Sequence, residues 1–199
     1  MKKYILFYKP YAVLSQFSPE EGKQTLRDYL HFPRDIYPVG RLDFDSEGLL
    51  LLTNDNDIKQ TITDPLAHYP KTYLAQVEKI PDETALERLR TGVIVEGKKT
   101  RPAEAHVLEN EPSLPPRAVP IRFRKTVPTA WIHLTITEGR NRQVRKMTAA
   151  VGHPTLRLVR IKIGSLAIEQ LRPGEWREVD RSEIVLQEKS ISGTAGYIP

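Results

Sequence analysis

The sequence predicts an α+β fold: a mixed, mainly antiparallel β-sheet flanked by helices and loops. Three observations lead there. Strand-like segments outnumber helical ones, and several follow each other with no crossover helix between them, which favours antiparallel neighbours. Ala130–Thr137 alternates strictly, with Trp131, His133, Thr135 and Thr137 against Ile132, Leu134 and Ile136, the period of a half-buried strand. Leu49–Leu52 is an unbroken apolar run bounded by Gly48 and Asn54, consistent with a strand buried on both faces, although periodicity alone leaves a helix open.

Taken in order, Tyr4–Lys9 reads as a first strand stopped by Pro10, and Thr25–Leu30 as a short helix. Tyr37–Val39 leads into an acidic loop, Gly40–Gly48, and then the leucine run. Asp55–Thr63 is helical and ends before Asp64-Pro65, because a residue preceding proline avoids the helical region. Lys71–Val77 is a strand. Pro81-Asp82-Glu83 opens a helix with acid at its positive end, running to Arg90 and closed by Gly92. Val93–Val95 and Ala103–Leu108 are strands. Pro112–Pro128, with prolines at 112, 115, 116, 120 and 128, excludes a regular helix and reads as a basic loop inserted within the domain. Asn141 caps a helix through Val151, with Gly152 as its stop. Thr155–Ile163 and Trp176–Val179 are strands, Asp180–Glu188 a closing helix, and Ile191–Pro199 a loose tail. The expected organisation is one domain over residues 1–187 followed by a flexible tail, 188–199.

Composition narrows the function. The 199 residues include no cysteine, so disulfides and thiol chemistry are excluded, in keeping with a reducing cytoplasm. Five scattered histidines show no ligand spacing, there is no phosphate-binding glycine motif, and no segment reaches transmembrane length. The apolar N-terminus lacks a cleavage site and is a strand, not a leader. Net charge is +5, yet Pro112–Ile168 alone carries eleven Lys or Arg and one acid, Glu138. That polarity points to a polyanion, with nucleic acid ahead of a membrane because no amphipathic anchor is present.

Three clusters carry chemistry. Asp43-x-Asp45-x-Glu47-Gly48 imitates the start of a calcium loop but lacks the bidentate acid at its twelfth position, where Asn54 stands. A paired-carboxylate glycosidase site is disfavoured, since alternate residues of an extended chain point apart. On its own the loop reads as a solvated turn. Glu138 to Met147 (Glu-Gly-Arg-Asn-Arg-Gln-Val-Arg-Lys-Met) puts Arg142 and Arg145 beside an apolar stripe of Val144, Met147 and Val151. A guanidinium there either holds a carboxylate or is ordinary basic surface. In Lys71-Thr72-Tyr73 the tyrosine is either a stacking platform for a base or core.

In this order the clusters, with Gly40-Arg41-Leu42-Asp43, Leu6-Phe7-Tyr8-Lys9-Pro10, Leu156–Arg160 and Gly174-Glu175-Trp176-Arg177, resemble the RsuA-type rRNA pseudouridine synthases. The resemblance covers about Tyr4 to Val179. The N-terminal S4 RNA-binding domain of most members has no counterpart here, which with the proline-rich insertion looks most like a branch acting on the large ribosomal subunit. The resemblance implies the pseudouridine synthase fold with a central active-site cleft, and isomerisation of a uridine in 23S rRNA with the base flipped out. It makes Asp43 the essential carboxylate, Tyr73 the aromatic stacked on uracil, and Arg145 the partner of Asp43, with Asp45 and Glu47 supporting the loop. Arg41, Arg140, Arg142, Lys146 and Arg160, with Arg124 and Lys125 of the insertion, are expected to bind RNA, and Ile161 to Ile163 to form an apolar wall. It implies no cofactor, no metal, no membrane, a cytoplasmic monomer and ribosomal RNA as partner. The competing class is a non-catalytic rRNA-binding or assembly factor on the same scaffold.

Overall fold

The computed structural model describes residues 1–33, 35–121 and 126–186. Along the chain run β1 (Tyr4–Lys9), β2 (Val13–Leu14), β3 (Gln24–Thr25), β4 (Tyr37–Pro38), β5 (Glu47–Thr53), α1 (Asn56–Thr63), β6 (Lys71–Glu78) and α2 (Glu83–Thr91). These are followed by β7 (Ile94–Val95), β8 (Lys98–Lys99), β9 (Glu104–Val107), β10 (Thr129–Ile136), α3 (Gln143–Ala150), β11 (Thr155–Ile163), β12 (Leu166–Ala167) and β13 (Trp176–Glu178). The main sheet has nine strands in the order β13-β1-β5-β11-β6-β10-β9, with β4 beside β5 and β12 beside β11. Its pairings are antiparallel except β5 with β11. This is the mixed, mainly antiparallel α+β fold expected.

The two halves of the sheet bury themselves differently, and the sequence patterns follow. Leu49 and Leu51 face Ile58 and Ile62 of α1, together with Tyr4 and Leu6. Leu50 and Leu52 face the other way, onto Leu26, Leu30 and Ile36, with Ile5 and Phe7. A strand covered on both faces has no solvated side to alternate toward, so the run is continuous leucine. Each such side chain contributes about 1.5–3 kcal/mol by leaving water. In the other half, Ile132, Leu134 and Ile136 of β10 face Leu86 and Leu89 of α2 and Val144 and Met147 of α3, giving the alternation of β10.

The halves meet where β5 and β11 run parallel, pairing Val159 with Glu47 and Arg160 with Gly48. Gly48 has φ +106°, and a Cβ there would collide with the Arg160 backbone. Only glycine allows that approach.

Some boundaries differ from expectation. Thr25–Leu30 holds a single 3₁₀ turn, Leu26–Asp28, closed by the Asp28 carboxylate on the Thr25 amide at 2.7 Å. Of the helix expected at Asp180–Glu188, the described residues, to Leu186, form only a 3₁₀ turn, Arg181–Glu183: Glu183 folds back onto the Asp180 amide at 2.9 Å, and Ile184 turns into the core. The cap of α3 is Arg142 in the left-handed conformation, φ 51°, not Asn141. The expected tail, 188–199, lies outside the described residues.

Candidate active site

The acidic loop is pinned from below before it reaches β5. The Ser15 hydroxyl donates to the Leu42 carbonyl at 2.8 Å and accepts from the Leu42 amide at 3.1 Å. The Ala12 amide donates to the Phe44 carbonyl at 2.9 Å. The turn carrying those anchors is itself closed by Lys9, fully buried, whose Nζ donates to the carbonyls of Pro10 at 2.9 Å and Val13 at 2.7 Å. Burial pulls the Lys9 ammonium down to about 7, against the pull of Glu47, Asp45 and Asp43. Glu47, the first residue of β5, is also buried, held by Arg157 in two parallel hydrogen bonds of 2.9 and 2.8 Å.

Above the loop opens a cleft of about 620 Å³. Asp43 and Tyr73 both line it, as do Arg41, Lys71, Arg140, Arg142 and Arg160, with Ile136, Val144 and Leu158 as apolar wall. The Asp43 carboxylate is 31% exposed, so it is accessible to a ligand.

Asp45, not Asp43, is the hub of the charge network. Arg142 donates to both of its oxygens, at 2.7 and 2.8 Å. Arg145 approaches the same carboxylate at 3.4 Å and donates to the Asp45 carbonyl at 2.7 Å and the Thr155 carbonyl at 3.3 Å. The Arg142 hydrogen bonds, with the fields of Arg145 and Arg142, hold the Asp45 carboxyl below its ordinary value despite burial. The expected direct pairing of Arg145 with Asp43 therefore needs correction. Among the described residues, the guanidinium within ion-pair distance of Asp43 is that of Arg142, at 3.7 Å. Arg145 stands one layer behind, facing a separate hollow with Tyr11 and Arg117. The left-handed cap at Arg142 places its side chain over the loop, while Arg145, one turn later, reaches the loop backbone from the side.

Other expected site residues divide. Arg41 is exposed at the rim, and Arg140 reaches Glu138 at 3.3 Å and the Lys99 carbonyl at 2.7 Å. Lys146 is turned away from the cleft onto Glu96 at 2.6 Å. Neither Ile161 nor Ile163 lines the cleft; Ile163 packs with Tyr69 and Leu166 in the core, and Leu158 takes the wall position. Arg124 and Lys125 lie outside the described residues. The basic window is also less superficial than its composition suggests, since Arg157 and Arg160 are buried. Sequence reasoning missed Ser15 and the structural use of Lys9, which had no local signal. It also missed Lys71, which the two-residue period of β6 places on the face of Tyr73. Among the described residues no three potential ligands cluster as a metal site, and no helix is long and apolar enough to cross a membrane.

Sheet order, loop and basic cleft together define a class of α+β enzyme that comparison with known proteins identifies. The family model described as RNA pseudouridylate synthase matches residues 3–150. A Xanthomonas campestris protein named ribosomal large subunit pseudouridine synthase E is 53% identical over 178 residues, covering 88% of this chain and 95% of its own. Its namesake in Vibrio vulnificus is 49% identical over 178 residues, covering 89% and 75%. A solved pseudouridylate synthase superposes with a TM-score of 0.77 at 29% identity, over 92% of this chain and 72% of that one. The chain belongs to the RNA pseudouridylate synthase family.

Proposed function

We propose that this protein isomerises a specific uridine of large-subunit (23S) ribosomal RNA to pseudouridine. The observation that carries the reading is that Asp43 and Tyr73 share one cationic cleft, on a loop and a strand that are both rigidly held. The relatives' names support large-subunit rRNA as the substrate class. A binding or assembly factor needs neither an exposed carboxylate nor its ordered support, and nothing in the site favours it.

In this reading the target nucleotide leaves its stack and enters the cleft, at a cost of a few kcal/mol that is least in a loop or bulge. Tyr73 replaces the lost stacking. Asp43 acts at the sugar, either by attack on C1′ or by removing a sugar proton, while the N1–C1′ bond breaks; uracil turns, and C5 bonds to C1′. Arg142 and Arg145 act through Asp45 to keep the loop in place, and Arg142 also faces Asp43. Arg41 and Arg140 meet the RNA backbone. The protein works as a cytoplasmic monomer without metal or cofactor.

The test is tritium release from large-subunit rRNA transcribed with uridine tritiated at C5, with the modified position mapped by carbodiimide-dependent reverse-transcription stops. Asp43→Asn should abolish release while RNA affinity stays near wild type. Turnover by the variant would remove Asp43 from the reaction, and free uracil would make the protein a hydrolase.

A further inference from the structure

We propose that Lys71 and Arg160 form a cationic floor beneath the base and bind the uracil as an anion after its bond to the sugar has broken. The inference rests on the synthase reading above and gives that site two catalytic residues.

Strand geometry puts the two cations together. β6 and β11 are antiparallel neighbours with Tyr73 opposite Arg160. Alternate residues share a face, so Lys71 and Tyr73 on one strand and Leu158 and Arg160 on the other all turn toward the cleft, and all four line it. Neither cation has a carboxylate within ion-pair distance among the described residues. The Arg160 Nε donates to the Leu49 carbonyl at 2.8 Å, and its Nη2 is buried with no partner. The Lys71 Nζ donates to the Tyr69 carbonyl at 3.0 Å.

Holding a buried guanidinium and a half-buried ammonium near each other without a counter-ion costs stability. Burial and the nearby Arg160 together pull Lys71 down to about 8, which reports that cost. An arrangement that disfavours the empty site favours an anion in it. A backbone phosphate is the less fitting anion. Arg160 is only 3% exposed, whereas a phosphodiester stays at the mouth of the cleft, where Arg41 and Arg142 stand exposed. The everted base is the part that goes deepest.

The chemistry supplies the charge at that depth. When the N1–C1′ bond breaks heterolytically, its electron pair leaves with the base, and the negative charge spreads over N1, O2 and O4. Asp43 quenches the electron-poor sugar, by bonding to C1′ or by taking a sugar proton. C5 then bonds to C1′, the proton on C5 is released while N1 takes up a proton, and whatever Asp43 gained is returned, so the product is an isomer with no atom or electron gained overall. Cations beneath the ring bind the detached anion more strongly than neutral uracil, and that difference lowers the barrier to bond cleavage.

Single-turnover tritium release at saturating enzyme tests this, with the full chain and the C5-tritiated rRNA transcript. Lys71→Met should slow release about 10²-fold, the scale of losing one fixed electrostatic stabiliser, with RNA affinity unchanged. Lys71→Arg should restore most of the rate. Wild-type release should fall as pH rises through about 8, and in Lys71→Arg this alkaline limb should move upward because arginine keeps its proton. The other charged or titratable groups lining the cleft are Arg41, Asp43, Asp64, Tyr69, Tyr73, Glu138, Arg140, Arg142 and Arg160, and none changes between the two proteins. An unchanged rate in Lys71→Met overturns the proposal. So does an unchanged saturating rate with weaker, less salt-dependent binding, which would make Lys71 a phosphate contact. Should Lys71→Met melt too early to assay, an alkaline limb left at about 8 in Lys71→Arg overturns it equally. Wild-type protein that releases no tritium overturns the synthase reading itself, a result distinct from an active wild type with an indifferent Lys71.

Discussion

The acid loop owes its shape to side chains that never meet substrate, and Lys9 is the clearest of them. With no exposed surface, it spends its donors on the carbonyls of Pro10 and Val13, and so fixes the turn from which Ala12 and Ser15 hold residues 42–44. Lys9→Met leaves the buried Val13 carbonyl unpaired, which should cost about 1–3 kcal/mol. The size should depend on pH. In the folded chain Lys9 titrates near 7, and in the unfolded chain near 10.5. Between those values the unfolded state binds more protons, so wild-type stability rises with pH relative to Lys9→Met. Below pH 7 the wild type carries the full penalty of a buried charge that methionine lacks, and the gap narrows. Denaturant unfolding of both proteins at pH 6.5 and 9 should show the larger difference at 9; a gap independent of pH would mean that Lys9 keeps its proton in the folded chain as it does in the unfolded one.

At the scale of the element, the decisive junction is β5 against β11, and the sequence disclosed one strand better than their meeting. The four leucines and the alternation of β10 could be read because burial on two faces or one leaves a local signature. Nothing local says that Arg157 reaches across 110 residues to Glu47, or that Gly48 lies against Arg160. The same limit applies to Arg145: its neighbours in sequence showed a basic helix, while its partner, Asp45, depended on how that helix was capped. The helix expected after Asp180 begins with the capping hydrogen bond of Glu183 but ends after one turn, because Ile184 leaves the helical region to enter the core. The Glu47–Arg157 pair makes the junction testable. Glu47→Leu or Arg157→Met alone strands one buried partner and should cost about 3–5 kcal/mol. Glu47→Leu with Arg157→Met should recover much of that loss, because the desolvation of both charges is removed together. A double-mutant cycle by chemical denaturation measures it, and additive losses would show that the pair is not coupled.

Over the whole molecule, the basic window resolves into cations with different duties. Arg157 and Arg160 are buried, Arg142 and Arg145 are committed to Asp45, and Lys146 is paired with Glu96 off the cleft. Net charge alone would make all of them equivalent contributors to RNA affinity. Their placement says otherwise, because only a cation that neutralises a phosphate releases counter-ions on binding. Arg41, exposed at the rim of the cleft and without an ion-pair partner among the described residues, is positioned for that role. Arg41→Ala should therefore weaken binding to large-subunit rRNA and reduce the slope of log affinity against log salt by about 0.7–0.9, the value of one phosphate contact on single- or double-stranded nucleic acid. Lys146→Ala should leave that slope unchanged, its charge being already answered by Glu96. Equal slopes for the two variants in salt-titrated filter binding would mean that RNA senses the basic face as a diffuse field and not through the cleft rim.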